Sequence, residues 1–494
     1  MNATGYAADP ALVRGVAIMA PLLAVAVAAR LRGPAERDIA AAILATAWNL
    51  LALTGVNLLA GATGWWRFAA EGAVVHGLPV DLLLGWALLW GAVPALATAR
   101  TARPVPLPAT AAVLVWLDLA FMPLAAPVVA LGGDWLTGEA VAVAAGLVPG
   151  LLLARWTAAG ARLRARASMQ VVLAAGLGLV LPVALTGVWR QPEWALGLLA
   201  QVLAVPLLLG VAAVREFAAA GGGTPLPYDP PERLVTGGPY AYVRNPMQVS
   251  MTAGYLVLAP FEPVFLAAAA VAFTYGAGLA AWHEGEQLTG RFGAEWEEYR
   301  RRVRPWLPRP RPARMPGPGA AVYVSAVCGQ CSQVGAWIRR RSPAGLRVLA
   351  AETRSGTRRI TYEAADGRTA EGVAALAHAL VHIHLGWALV GWALLLPGVT
   401  RFAQLCADAF GAGPRAAGAG EALKAGEALK AGEMPGAGRA QREPHGAPET
   451  VPEAGPDGVF QTGARGYAAP DVQAGPGRGG STATSGGPAP HIRR

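Results

Sequence analysis

Gly237-Gly238-Pro239-Tyr240-Ala241-Tyr242-Val243-Arg244-Asn245-Pro246 and His283-Glu284-Gly285-Glu286-Gln287-Leu288 bracket about 36 mostly apolar residues, interrupted by Pro260-Phe261-Glu262-Pro263. As one helix that run would be about 54 Å long, far more than a ~30 Å hydrocarbon core needs. A helical hairpin over 247–282 that enters and leaves on one side fits better. It would bring Arg244, Glu284 and Glu286 to a single membrane surface, where polar chemistry is possible.

Composition agrees with a membrane chain. Of 494 residues, 54% are hydrophobic and 15% charged, against about 25% charged in a soluble domain. The net charge of +10 comes almost wholly from arginine, the only lysines being Lys424 and Lys430. Those arginines sit between apolar segments, so topology explains them better than nucleic-acid binding, which is not expected. No cleavable signal peptide is expected, because the first apolar run lacks a basic leader and is followed by Arg30, Arg32 and Arg37. Three cysteines make no disulfide framework.

Seven spans are predicted upstream of the hairpin, at roughly 12–30, 39–61, 78–98, 109–131, 138–155, 168–188 and 194–214. Each is close to the ~20 residues a spanning helix requires, the fifth on the short side. Buried helices of a soluble core are a poor alternative, since such helices rarely lack a polar face so repeatedly. After spans one, three, five and seven come Arg30, Arg32, Arg37, Arg100, Arg103, Arg155, Arg162, Arg164, Arg166, Arg215, Arg233 and Arg244; the opposite side holds Arg14, Arg67 and Arg190. The bias makes the first set cytoplasmic and places the N-terminus outside. Both flanks of the hairpin are then inside, in agreement with its length. Trp65, Trp66, Trp135, Trp189 and Trp194 suit outer interfacial anchors.

The expected organisation is therefore a transmembrane region at 1–220, a hairpin core at 221–309, a Pro/Arg linker at 310–319, a small α/β domain at 320–413 and a tail at 414–494. The linker is too rich in proline for a helix, and its arginines can reach anionic lipid heads. The 384–396 run is short and bounded by Gly and Pro, which argues against a further span. The tail is Gly, Pro, Ala and charged residues and should be disordered.

Side-chain chemistry at the bracket is suggestive. Pro246 suits a helix start, and Gly237 to Tyr240 supply a tight turn with free amides. Arg244 can hold a carboxylate bidentately, Tyr240 and Tyr242 offer faces to a flat ring or cation, and Glu284 and Glu286 can hold an ammonium. His283 can serve as donor or general base. S-adenosylmethionine carries all the matching groups. Chemistry alone leaves open that these charges are only topology signals.

Residues 233–309 resemble the membrane methyltransferase superfamily that includes isoprenylcysteine carboxyl methyltransferases and phospholipid N-methyltransferases. The match runs through Gly238, Pro239, Tyr240, Tyr242, Arg244, Asn245 and Pro246, then Glu284, Phe292-Gly293, Trp296, Tyr299, Val303, Trp306 and Pro308. The resemblance implies S-adenosylmethionine bound at the cytoplasmic mouth of the hairpin, with Arg244 and Asn245 in the catalytic set. The cofactor-binding set is then Gly238, Pro239, Tyr240, Tyr242, Arg244, Asn245, His283, Glu284, Glu286 and Tyr299. A lipid-like or hydrophobic acceptor would enter from the bilayer. Three positions depart from the family: Asn245 where many members have His, Gly285 in place of a second Glu, and Gln248 where many have Tyr. A branch of the superfamily that reduces sterols with NADPH supplies a second reading.

In the small domain, Ala320–Val324 reads as a strand and Cys328-Gly329-Gln330-Cys331 opens a helix at about 329–341. Leu346–Ala350 and Arg359–Glu363 read as further strands, with a turn at Asp366-Gly367 and a helix at 369–382. A Cys-x-x-Cys at a helix start lowers the first thiol's pKa and makes an exchange-competent dithiol. A zinc half-site completed by His378, His382 and His384 is the alternative, and no metal is expected. Residues 320–413 resemble the thioredoxin-like DCC family of thiol–disulfide oxidoreductases. That resemblance implies Cys328 as nucleophile, Cys331 as resolving thiol, and a thiol or disulfide partner. Ser325 stands where the family has its leading Asp. The expected whole is a multi-pass α-helical cell-membrane protein of about seven spanning helices plus a hairpin, then a cytoplasmic thioredoxin-like α/β domain. Its expected activity is methyl transfer from S-adenosylmethionine. A non-catalytic anchor for a redox domain is a third reading.

Overall fold

The computed structural model describes residues 9–414 except 70, 102–104, 227 and 355, so Arg103 and the expected tail from 415 on lie outside the described residues. Eight helices among them are long and apolar enough to cross a membrane: α1 Pro10–Arg32, α2 Glu36–Thr63, α3 Val80–Ala97, α4 Leu107–Ala125, α5 Trp135–Ala158, α6 Leu163–Thr186, α7 Glu193–Gly221 and, beyond α8 Pro246–Leu258, α9 Val264–Phe292. The chain is thus a multi-pass helical membrane protein. The first seven coincide with the predicted spans.

Local chemistry sets the ends. The Asp9 carboxylate accepts from the Ala11 N–H, Pro10 occupies the first turn, and α1 stops where Gly33 turns left-handed (φ 55°) behind Arg30 and Arg32. Small residues let the helices approach closely: a Cβ on Gly91 of α3 would lie 2.5 Å from the Thr46 backbone nitrogen on α2.

Two contacts show which connections share an end. Asp229, after α7, pairs with Arg166 of α6 at 2.9 Å and with Arg37 of α2 at 3.1 Å. At the other end, Trp66–Phe68 after α2 pairs antiparallel with Val129–Leu131 after α4. This alternation is the one the arginine distribution predicts.

Two carboxylates are buried within this bundle, Asp118 on α4 and Glu139 on α5, within hydrogen-bonding reach of each other. The Trp86 indole N–H donates to Asp118 at 2.9 Å, while among the described residues neither Glu139 oxygen has a protein donor. Glu139→Gln supplies a donor, so it should leave the stability of the detergent-solubilised protein unchanged or raise it by up to about 1 kcal/mol, read from its thermal melt. Asp118→Ala orphans the indole and should cost about 1–3 kcal/mol in the same melt.

The hairpin forms with unequal arms. Its first arm, α8, has 13 residues, about 20 Å, and its second, α9, has 29 residues and continues through His283 and Glu284. The turn between them holds Pro260 and Pro263. Ser250 of α8 donates to the Pro206 carbonyl at 2.6 Å, seating the short arm on α7. A π-helical turn over Gly276–Ala280 interrupts α9 just before His283.

After α10 (Ala294–Arg302) comes the α/β domain. Its four strands, β1 Ala320–Val324, β2 Leu346–Ala350, β3 Thr361–Glu363 and β4 Thr369–Glu371, lie in the order β2-β1-β3-β4. β1 and β2 are parallel and the other pairings antiparallel. Helix α11 (Gly329–Arg340) joins β1 to β2, and α12 (Val373–Leu380) follows β4; Val322 and Ile338 are fully buried between sheet and helix. Two further helices, α13 Leu385–Leu394 and α14 Val399–Ala407, meet at a sharp bend. Bundle and α/β domain fall in one compact unit.

The Pro/Arg-rich segment from Arg304 into the expected linker is stitched along the turn that precedes α8. Arg244 and Asn245 N–H groups donate to the carbonyls of Arg304 (2.8 Å) and Pro305 (3.3 Å). Arg309 and Ala313 N–H groups donate to Tyr242 (2.9 Å) and Ala241 (2.8 Å). Prolines cannot donate, but an extended Pro-rich chain keeps its carbonyls and remaining N–H groups turned outward for such pairing.

Candidate functional site

The turn before α8 and the α9–α10 junction form one cluster. Gly238 is left-handed (φ 58°), and a Cβ there would lie 3.0 Å from Glu216 Cγ, so glycine fits both the dihedral and the space. Pro239 opens a single 3₁₀ turn, Gly238–Ala241, that buries Tyr240. Tyr299 of α10 is buried and donates its hydroxyl to the Tyr240 carbonyl at 2.9 Å. Burial pushes the Tyr240 phenol well up, and neighbouring Tyr299, Glu284 and Glu216 push it further. Burial also raises Tyr299.

Arg244 is half-buried. Its guanidinium lies 5.5 Å from the Trp296 ring and makes one long bond, 3.4 Å, to the Arg300 carbonyl. Burial lowers its pKa, yet among the described residues no carboxylate pairs with it. Asn245 precedes α8 without capping it through its side chain. His283 is exposed and lies 3.0 Å from Gln287 through its Nε2. Glu284 and Glu286 are exposed and form no ion pair among the described residues, and Glu284 stands close enough to Tyr240 to act on it electrostatically.

Among the described residues, four buried polar atoms in these elements lack a protein hydrogen-bond partner: Tyr240 Oη, Gln248 Oε1, Thr252 Oγ1 and Trp296 Nε1. Gln248 and Thr252 are one turn apart on α8. Gln248 faces Gly276, where a Cβ would come 3.2 Å from its oxygen and 2.9 Å from the Trp306 ring. Sequence reasoning missed Thr252 altogether; its spacing of four from Gln248 was the available signal.

Tyr242 has a different setting. It is fully buried, donates its hydroxyl to the Val381 carbonyl at 2.7 Å and meets Trp392 edge-on at 5.8 Å. With Leu209, Ala241 and Ala388 it forms an apolar cluster joining α7 to α13. Glu216 adds an ion pair to Arg368 at 2.7 Å, and Arg368 also pairs with Asp366. The structure therefore brings Tyr240, Arg244, Trp296 and Tyr299 together beside Glu284, and commits Tyr242 to the α/β domain.

Cys328 and Cys331 stand at the start of α11. Cys328 is its N-cap, with Sγ accepting from the Cys331 N–H at 3.5 Å. The Cys328 N–H donates to Ser325 Oγ at 3.3 Å, and Ser325 donates to Glu352 Oε1 at 2.8 Å. Glu352 also accepts from the Ala326 N–H at 3.1 Å. Although burial raises it, these hydrogen bonds hold the Glu352 carboxyl below its ordinary range. A carboxylate thus reaches Ser325, from a residue that sequence reading missed. The parallel register of Val324 with Ala350 places Glu352 there.

Of the three histidines weighed as zinc ligands, His378 and His382 pack around Tyr362, and His384 bonds the Gly386 N–H at the start of α13. His378 stacks on Tyr362 at 5.0 Å, and His382 Nε2 lies 3.0 Å from the Tyr362 hydroxyl. Because His382 Nδ1 faces the Ala344 carbonyl at 2.8 Å, its proton is on Nδ1 and Tyr362 is the donor to Nε2. Burial, with help from Arg368 and His382, depresses His378 to about 4 from 6.5. The unfolded chain therefore takes up this proton first as pH falls. The contribution is complete above pH ~6.5 and lost as pH falls through the folded-state value, worth roughly 3 kcal/mol. Thermal melts across that window should show the loss, and His378→Phe should flatten it.

No family model matches the chain, and neither a curated protein nor a solved structure is significantly similar to it.

Proposed function

We propose that the chain is an S-adenosylmethionine-dependent methyltransferase of the membrane, acting on a lipid-like or hydrophobic acceptor. The observation that carries this reading is Arg244, a half-buried guanidinium over the Trp296 ring that among the described residues forms no ion pair, at the start of a helix that carries buried polar atoms without protein partners. A residue set of this kind fits a ligand that brings its own carboxylate and several polar groups. Arg244 would hold the carboxylate, Glu284 and Glu286 the ammonium, and Gln248, Thr252, Tyr240 and Trp296 the ribose and base. The cofactor, when bound, supplies an electrophilic methyl group on sulfur. The chain's residues orient it and keep water away, as the burial of Tyr240, Trp296 and Tyr299 favours. Asn245, next to Arg244, would orient the acceptor. Alternation of arginine-rich ends supports a cytoplasmic position for this mouth.

We read the α/β domain as thioredoxin-like and exchange-competent. Strand order β2-β1-β3-β4 and the thiol N-cap of α11 support it. A thiolate at Cys328 would attack a partner disulfide, and Cys331 would displace the mixed disulfide, leaving the pair oxidised and the partner reduced.

Incubation of membranes containing the chain with S-adenosylmethionine labelled in its methyl group tests the first reading. Label should enter the lipid-extractable fraction and depend on Arg244; label no higher than in membranes lacking the chain counts against it.

A further inference from the structure

Away from both sites, where the α/β domain meets the Pro-rich segment, a cleft of about 380 Å³ is lined by Arg311, Arg340, Arg341, Ser342, His384 and Trp387. Among the described residues no carboxylate pairs with any of its three arginines. Arg341 is held in place: its Cζ lies 3.7 Å above the Trp337 ring and 5.8 Å from that of Trp387, and it donates to the Trp337 carbonyl at 3.1 Å. The two indoles meet edge-on at 5.0 Å. Ser342 follows in the left-handed region (φ 49°), where a non-glycine residue is uncommon, and lines the cleft. His384 accepts from the Gly386 N–H through Nδ1, so its own proton is on Nε2 and it too is a donor. Arginine and imidazole donors lining one space match an oxyanion with several acceptor atoms, such as a phosphate.

What surrounds the cleft selects the source of that phosphate. His384 and Trp387 belong to the start of α13, which packs on spanning helix α7 through Leu209 and Ala212. The next helix, α14, turns its apolar side chains outward, with Phe402 and Leu405 both 69% exposed. Together α13 and the segment Val399–Ala412 are hydrophobic enough for a span but bend by 92°, which suits a foot resting in the interface better than a crossing. The cleft's own lining adds Ile383 and the part-exposed Trp387 to its arginines, and α13 ties it to a spanning helix; a phospholipid, unlike a soluble anion, brings a phosphate and acyl chains together.

We propose that this cleft binds the phosphate of an anionic phospholipid from the surrounding bilayer. The inference stands independently of the methyltransferase reading. The test uses the full chain in nonionic detergent, titrated with dioleoylphosphatidylglycerol, with dioleoylphosphatidylcholine and with inorganic phosphate, following tryptophan fluorescence and the melting midpoint. Phosphatidylglycerol should bind saturably and at least about tenfold more tightly than phosphatidylcholine, and weaken as salt rises. The double variant R311Q/R340Q removes two exposed, unpaired charges and should keep its fold while losing about tenfold or more in that affinity. Equal affinity in the wild type and the variant would overturn the proposal. So would binding of inorganic phosphate as tight as that of the lipid, which would make the cleft a site for a free anion. If the variant does not fold, competition decides: inorganic phosphate in excess should displace phosphatidylglycerol from the wild type, and failure to do so overturns the assignment.

Discussion

Arg244→Ala should lose S-adenosylmethionine affinity by about 100-fold, or about 2.7 kcal/mol, while barely moving the melting temperature. The two halves of that expectation have separate causes. A charge-assisted bidentate bond to a carboxylate is among the strongest polar contacts a protein makes, and its loss leaves the ligand's charge uncompensated. Among the described residues the guanidinium has a 3.4 Å bond to the Arg300 carbonyl and a 5.5 Å approach to the Trp296 ring. Those contacts are worth roughly 1 kcal/mol or less at a half-exposed site. Arg244→Lys keeps the charge but not the fork and should lose about tenfold. Equilibrium binding beside a thermal melt separates a ligand contact from a structural one. A variant that melts early and binds normally would assign Arg244 to the scaffold.

Tyr242→Ala should have the largest effect on architecture, costing about 3–5 kcal/mol and loosening the α/β domain from the bundle. The ring is fully buried between Trp392 and Leu209, and the hydroxyl satisfies the Val381 carbonyl. Tyr242→Phe keeps the packing and orphans that carbonyl, so about 1–2 kcal/mol is expected. Proteolysis separates the outcomes: with alanine, cleavage within 310–319 should accelerate, because backbone bonds such as Leu385 N–H to the Pro310 carbonyl then open more often. A cleavage rate unchanged in Tyr242→Ala would mean that docking does not depend on this residue.

The bundle was legible in the sequence because a spanning helix is a local object. About twenty apolar residues announce each one, and the prolines and glycines at the ends, such as Pro10 and Gly33, mark its limits. Charge placed the connections at alternate ends, and the Arg37–Asp229–Arg166 network agrees. The turn of the hairpin was legible at Pro260 and Pro263, but the run of its second arm through His283 to Phe292 was not, because polar residues there end the apolar stretch. Tyr242 shows a sharper limit. Beside Tyr240, two residues along the same turn, it reads as equally available to a ligand; its partners, Val381 and Trp392, lie about 140 residues on. The orphaned atoms of Gln248 and Thr252 likewise become visible only once burial is known. Glu352 is an intermediate case, recoverable from strand register though not from motif. Asp118 and Glu139 were present in apolar spans, but only their meeting across α4 and α5 makes them a pair.

The most direct measurement is equilibrium binding of S-adenosylmethionine and, separately, NADPH to the full chain purified in detergent. The account predicts saturable binding of S-adenosylmethionine, protection against heating by that cofactor and not by NADPH, and loss of both effects in Arg244→Ala. Protection by NADPH instead, or S-adenosylmethionine affinity unchanged in both Arg244→Ala and Glu284→Ala, would contradict it.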